Sequence, residues 1–192
     1  MGRWEPNARW RLVVAAVDLC SEQGYDATTV AQIAQQAGLT KATFFRHFPD
    51  KREVLFAGQE EHSALLAAGI GAAPRGAAPL EAVVAGLDTL AASFAPEQRE
   101  FGPRLRAAVA SSTELQERDA LKSVGLAAAI TDALLARGVP DPTARLAGEL
   151  GVLALKQGYA RWSETGQDDG IPLASQMRSA LEDLRAATAS LG

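Results

Sequence analysis

Thr28-Thr29-Val30-Ala31-Gln32-Ile33-Ala34-Gln35-Gln36-Ala37-Gly38-Leu39-Thr40-Lys41-Ala42-Thr43-Phe44-Phe45-Arg46-His47-Phe48 is the stretch whose reading decides the fold. Val30, Ile33, Ala34 and Ala37 fall at i, i+3, i+4 and i+7, one apolar stripe of a helix. Thr28 or Thr29 caps its start, because a hydroxyl accepts from a free N–H of the first turn. Gly38 stands where that helix ends, and glycine tolerates the left-handed backbone common there. Leu39 is apolar inside a turn and is expected to plug the corner. Thr40 then caps a second helix, on which Phe44 and Phe48, four apart, point inward together. The spacing predicts two short helices joined by a tight turn.

The other face of the second helix offers Lys41, Ala42, Thr43, Phe45, Arg46 and His47. Ala42 and Thr43 are small enough for close approach to a groove wall. Thr43 can donate to a phosphate or touch a thymine methyl. Arg46 has the fork that matches guanine O6 and N7. Pro49 stops the helix. Asp50 with Glu53 resembles a capping box that opens a third element. Lys51 at its start would add a phosphate contact, and Thr28, Thr29 and Thr40 complete the set of candidate DNA contacts. Two readings of this face stand side by side: a helix-turn-helix that reads a DNA major groove, and a helical hairpin whose charges are only solvated.

Leu19 to Leu55 resembles the DNA-binding domain of the TetR family of bacterial repressors. The residues that carry the likeness are Gly24-Tyr25-Asp26, Thr28-Thr29-Val30, Ile33-Ala34, Ala37-Gly38-Leu39, Lys41 through Phe48, and Asp50-Lys51. They cover about the first third of the chain. The resemblance implies an all-helical homodimer. Its first three helices bind a near-palindromic operator, and a larger C-terminal domain binds a small molecule that releases the DNA. The chain departs from the family twice. Phe45 replaces a usual tyrosine whose hydroxyl reaches a phosphate, and Cys20 replaces a large aromatic near the end of the first helix.

Charge supports the DNA reading once it is divided along the chain. The net charge is −4. Residues 1–55 hold seven Lys/Arg against six Asp/Glu, a net of +1; the remainder holds twelve against seventeen, a net of −5. Phosphate affinity follows the local charge, and a dimer doubles the contacts. Arg3, Arg9 and Arg11 either add backbone contacts or are solvated.

The fold class is therefore all-α: an N-terminal three-helix helix-turn-helix domain, residues 1–49, then a larger helical ligand-binding and dimerisation domain, residues 50–192. Alanine and leucine dominate the composition, which favours helices, and no stretch shows the alternation of a strand. Expected helices run from about Asn7 to Gln23, from Asp50 to Ile70, Leu80 to Phe94, Glu114 to Arg137, Thr143 to Thr165, and Leu173 to Leu191. Gly71 to Pro79 and Gly166 to Pro172 read as loops. Gly102-Pro103 is expected to kink or break a helix that starts near Glu97. The last two long helices are the expected homodimer interface, with Gly148, Gly151 and Gly158 allowing close approach; the alternative is that they only close the protomer's own core.

Seven residues of the middle helices are candidates to line an effector pocket: Phe94, Phe101, Leu105, Leu126, Ile130, Tyr159 and Trp162. Plain core is the other reading, since pockets and cores share residue types. Cys20 is expected as a small buried hydrophobe; one cysteine allows no internal disulfide.

Enzymatic chemistry has no support. His47 and His62 lack a triad set, Glu60-Glu61-His62 lacks further ligands for a metal, and no glycine-rich loop follows a strand. No cofactor is expected. The polar opening Met1 to Pro6 does not read as a leader, and no apolar run spans a bilayer, so the expected location is cytoplasmic, without a membrane partner. The expected partners are a double-stranded operator and an unknown small-molecule effector. A small-molecule binding or sequestering protein with weak or lost DNA binding is the alternative function.

Overall fold

The structure, a computed structural model, describes residues 8–164 and 170–191. Among them every regular element is helical, and none is long and apolar enough to cross a membrane. Arg3 and most of the expected Gly166–Pro172 loop lie outside the described residues. The chain divides into two compact units, residues 1–57 with 103–120, and residues 58–102 with 121–192.

The first unit opens with α1, Ala8–Gln23, which buries Leu12, Val13, Ala16, Val17 and Cys20 along one face. Cys20 is a buried free thiol, and burial pushes its pKa up. Gly24, at φ +85°, turns the chain, and its N–H donates to the Cys20 carbonyl. Then follow α2, Val30–Gln36, α3, Lys41–His47, and α4, Lys51–Leu55. The unit also takes residues 103–110 of α7, Phe101–Ala110, and residues 113–120 of α8, Thr113–Ala136.

The second unit contains α5, Gln59–Ala72, α6, Pro79–Ala91, a short 3₁₀ turn at Pro96–Arg99, the rest of α8, α9, Asp141–Glu164, and α10, Leu173–Ala189. Leu66, Ile70, Val83, Leu87, Leu90, Ile130, Leu134 and Met177 are fully buried in one core. Helices α5 and α6 cross at glycines. A Cβ on Gly69 would stand 2.5 Å from the Ala85 carbonyl oxygen, and one on Gly86 2.9 Å from that of Leu66.

Three expectations are corrected. The helix from Asp50 does not continue to Ile70: α4 ends after five residues, and Gly58, at φ +90°, resets the chain before α5. That left-handed backbone favours glycine and interrupts the ladder. Pro103 breaks no helix. It is the third residue of α7, within the first turn, where a missing N–H loses no intrahelical bond. Gly148, Gly151 and Gly158 are spent inside the protomer. Gly148 faces Thr131 Oγ1 and the Ala127 carbonyl of α8, Gly151 faces Ile130 and Val83, and Gly158 faces the Met177 backbone of α10. Of its large apolar side chains, α9 leaves Leu146 and Leu153 exposed, seven residues and so about two turns apart.

Candidate nucleic-acid interface

Each end of the helix pair is fixed by a local hydrogen bond. Thr29 caps α2 in a reciprocal box: the Gln32 N–H donates to the threonine hydroxyl at 3.3 Å, and the Thr29 N–H donates to Gln32 Oε1 at 2.9 Å. At the far end Gly38, at φ +66°, donates to the Gln35 carbonyl at 2.9 Å, and Leu39 donates to that of Ala34 at 2.8 Å. This pairing closes two orphan carbonyls. Arg11 of α1 donates to a third, that of Ala37. Arg11 neither stands solvated nor faces outward as a backbone contact. Its guanidinium instead clamps the turn.

Thr40 caps α3, accepting from the Thr43 N–H at 3.1 Å, and the two hydroxyls are 2.9 Å apart. Phe44 and Phe48 are buried, with ring centres 5.7 Å apart. Their burial presents Lys41, Ala42, Phe45, Arg46 and His47 to solvent, with Thr43 half-buried. Phe45 is 49% exposed, an uncommon setting for an aromatic ring. It packs edge-on against Phe44 at 5.4 Å, with Lys41 Nζ 5.9 Å from its centre. Arg46 and His47 occupy the last turn, where the Arg46 charge suits the helix dipole. The arrangement is a small, cationic, partly aromatic ridge on a rigid base.

Two candidate contacts stand differently. Thr28 is 1% exposed; its hydroxyl donates to the Gly24 carbonyl at 2.8 Å and accepts from Gln23 at 3.2 Å, fastening the turn after α1. Lys51 is half-buried, and its Nζ donates to the Tyr25 carbonyl at 2.6 Å while lying 3.9 Å from that ring's centre. An ammonium has three protons, so this bond leaves donors for another acceptor. Asp50 caps α4 by accepting from the Glu53 N–H at 2.9 Å.

Residues far along the chain complete this unit, and no local sequence signal marks them. Arg118 pairs with Glu53 and holds that carboxyl below the usual range by its hydrogen bond. The buried Tyr25 donates to Glu114 at 3.3 Å. Burial first, then the Glu114 charge, raises the pKa of the phenol and keeps it protonated.

The candidate effector residues separate. Phe94, Tyr159 and Trp162 form a run of rings with centres 5.5 and 5.7 Å apart, and His62 joins at 5.4 Å from Phe94. Tyr159 donates to the Gln98 carbonyl at 3.0 Å, and Arg99 lies 5.6 Å over Trp162. Leu126 and Ile130 belong to the buried core, and Phe101 is buried. Leu105 falls in the first unit. None of the seven borders the open groove of about 610 Å³ that Leu80, Val84, Leu146, Leu150, Leu181 and Arg185 help to line. Among the described residues no cluster suits a metal.

Residues 12–57 match the family described as bacterial regulatory proteins, tetR family. The regulator TcmR of Streptomyces glaucescens is 37% identical over 77 residues, 40% of this chain and 34% of TcmR. HbdR of an Aromatoleum species is 42% identical over 48 residues, 25% of this chain and 21% of HbdR. The chain thus aligns with about a third or less of these relatives' lengths. Two solved structures share the fold across the chain. A transcriptional regulator of Aquifex aeolicus has 16% identity and TM-score 0.52, covering 94% of this chain and 99% of that one. PfmR of Thermus thermophilus has 24% identity and TM-score 0.51, covering 90% and 95%.

Proposed function

We propose, from the match of residues 12–57 to the tetR family of bacterial regulatory proteins, that the chain is a DNA-binding repressor of transcription. The observation that carries this is the α3 ridge: Lys41, Ala42, Phe45, Arg46 and His47 exposed together over buried Phe44 and Phe48. Its size and charge suit a major groove. Thr29, Thr40, Thr43 and Lys51 flank it as backbone contacts. The DNA-reading surface belongs to residues 1–49 with Lys51, and residues 50–192 take the effector and join the protomers. Binding as a homodimer through α9 and α10 presents two such ridges to a near-palindromic operator. Exposed Leu146 and Leu153 support that interface. An apolar or mixed small molecule entering beside Phe94, Tyr159 and Trp162 releases the DNA. The protein acts in the cytoplasm, on the bacterial chromosome.

The test is selection of duplexes from a random library by the full-length protein. Enrichment of an inverted repeat, bound less tightly as salt rises, is the expected outcome. Retention of no duplex at low salt would overturn the repressor reading and leave a sequestering protein in its place.

A further inference from the structure

The first compact unit draws in residues 103–120, although the family match ends at residue 57. Arg118 and Glu114 of α8 make polar contacts there to α4 and to the turn after α1. Arg118 Nε and Nη2 donate to the two carboxylate oxygens of Glu53 at 2.8 and 3.0 Å. A two-pronged pair fixes direction as well as distance. Its side chains are 18% and 28% exposed, so water screens it less than a surface pair. The same guanidinium lies 5.4 Å from the centre of Phe56. One turn earlier, Glu114 accepts from the Tyr25 hydroxyl and stands 3.7 Å from Arg52. Tyr25 in turn carries Lys51 on its carbonyl and ring.

Helix α4 has only five residues, too few to hold itself by its own hydrogen bonds. Its pose depends on its neighbours: the Asp50 cap, the burial of Val54 and Leu55, and the Glu53–Arg118 pair. Lys51, the one candidate DNA contact on α4, stands two residues before Glu53.

We propose that Arg118, seconded by Glu114, is a positioning residue for DNA binding: it sets the pose of α4 and Lys51 and touches no DNA itself. This rests on the DNA-binding reading above. The DNA-reading unit is then discontinuous in sequence, with its last supports more than sixty residues downstream.

The experiment titrates full-length wild type, Arg118→Ala, Arg118→Lys and the exchange Glu53→Arg/Arg118→Glu against a duplex selected from a random library. Fluorescence anisotropy is read across a salt series, with thermal unfolding measured beside it. Arg118→Ala is expected to weaken binding about tenfold, in the range of couplings within one network. The slope of log K on log salt stays unchanged, because no phosphate contact is lost. Arg118→Lys recovers only part, since an ammonium does not match both oxygens; the exchange recovers at least half of the loss on a logarithmic scale. If Arg118→Ala does not fold, the lysine and exchange variants carry the test alone. Binding within twofold of wild type would overturn the proposal. So would a slope reduced by about one, which makes Arg118 a phosphate contact, or an exchange that restores melting but not affinity. A wild-type protein that binds no duplex removes the DNA reading and this inference together; wild-type binding with indifferent variants removes this inference alone.

Discussion

Replacing Gly38 with alanine is expected to destabilise the α2–α3 pair by about 2 kcal/mol, half from the backbone and half from Arg11. At φ +66° an L-residue costs about 1 kcal/mol in left-handed backbone. The new Cβ would stand 2.7 Å from Arg11 Nη2. The guanidinium is the far end of a flexible side chain and can swing away. In doing so it gives up the Ala37 carbonyl, worth about 1 kcal/mol at a half-buried site. Gly24 supplies the control: its φ is +85°, but a Cβ there would meet nothing within 4 Å. Gly24→Ala is therefore expected to cost only the backbone part, about 1 kcal/mol. The double variant Arg11→Ala/Gly38→Ala is expected to cost less than the sum of the two single variants, since both remove the Ala37 bond. Native-state hydrogen exchange over residues 30–47 reads the local opening free energy. Equal losses for Gly38→Ala and Gly24→Ala, or a double variant with fully additive cost, would refute the clamp.

Four further outcomes follow from the geometry. Gly148→Ala would place a Cβ 2.5 Å from Thr131 Oγ1 and 2.8 Å from the Ala127 carbonyl; a loss of about 2 kcal/mol is expected in urea unfolding. The Glu53 pKa is depressed in the fold by Arg118, so its contribution is present above the unfolded value of about 4.5 and is lost as pH falls through the folded value; Glu53→Gln is expected to flatten the acid limb of a stability–pH curve. Tyr25 has a raised pKa from burial and Glu114, with an ordinary value of 10.0. Its contribution is present below pH about 10 and is lost as pH rises further, and Tyr25→Phe is expected to abolish that alkaline loss. Phe45→Tyr restores a hydroxyl to a ring already 49% exposed, and is expected to tighten duplex binding about fivefold by a phosphate hydrogen bond, measured by anisotropy.

The helix pair was legible because its determinants are local. Thr29, Gln32, Gly38 and Thr40 act within four residues of themselves, and Phe44 and Phe48 repeat at the helical period. The break at Gly58 was visible as a glycine but not as a turn, because the apolar residues on either side continue a helical pattern. Pro103 misled in the opposite sense: where a helix starts decides whether proline breaks it, and that start depends on packing. Arg118 and Glu114 read as ordinary surface charges, since nothing near them in sequence names Glu53 or Tyr25. Gly148, Gly151 and Gly158 mark close approaches in the sequence, but composition does not say which helix comes close. The aromatic run of Phe94, Tyr159 and Trp162 lies within a unit whose core uses the same residue types, so core and chamber look alike in sequence.

The central claim is that the exposed face of α3 reads DNA sequence, and Arg46 tests it most directly. Wild type and Arg46→Ala are titrated against the selected duplex and a random one at the same salt. Wild type is expected to prefer the selected duplex. Arg46→Ala is expected to lose about tenfold or more on that duplex, the worth of one bidentate base contact, with little change on the random one. Equal loss on both would make Arg46 a phosphate contact only, and a wild-type protein without preference would contradict the account.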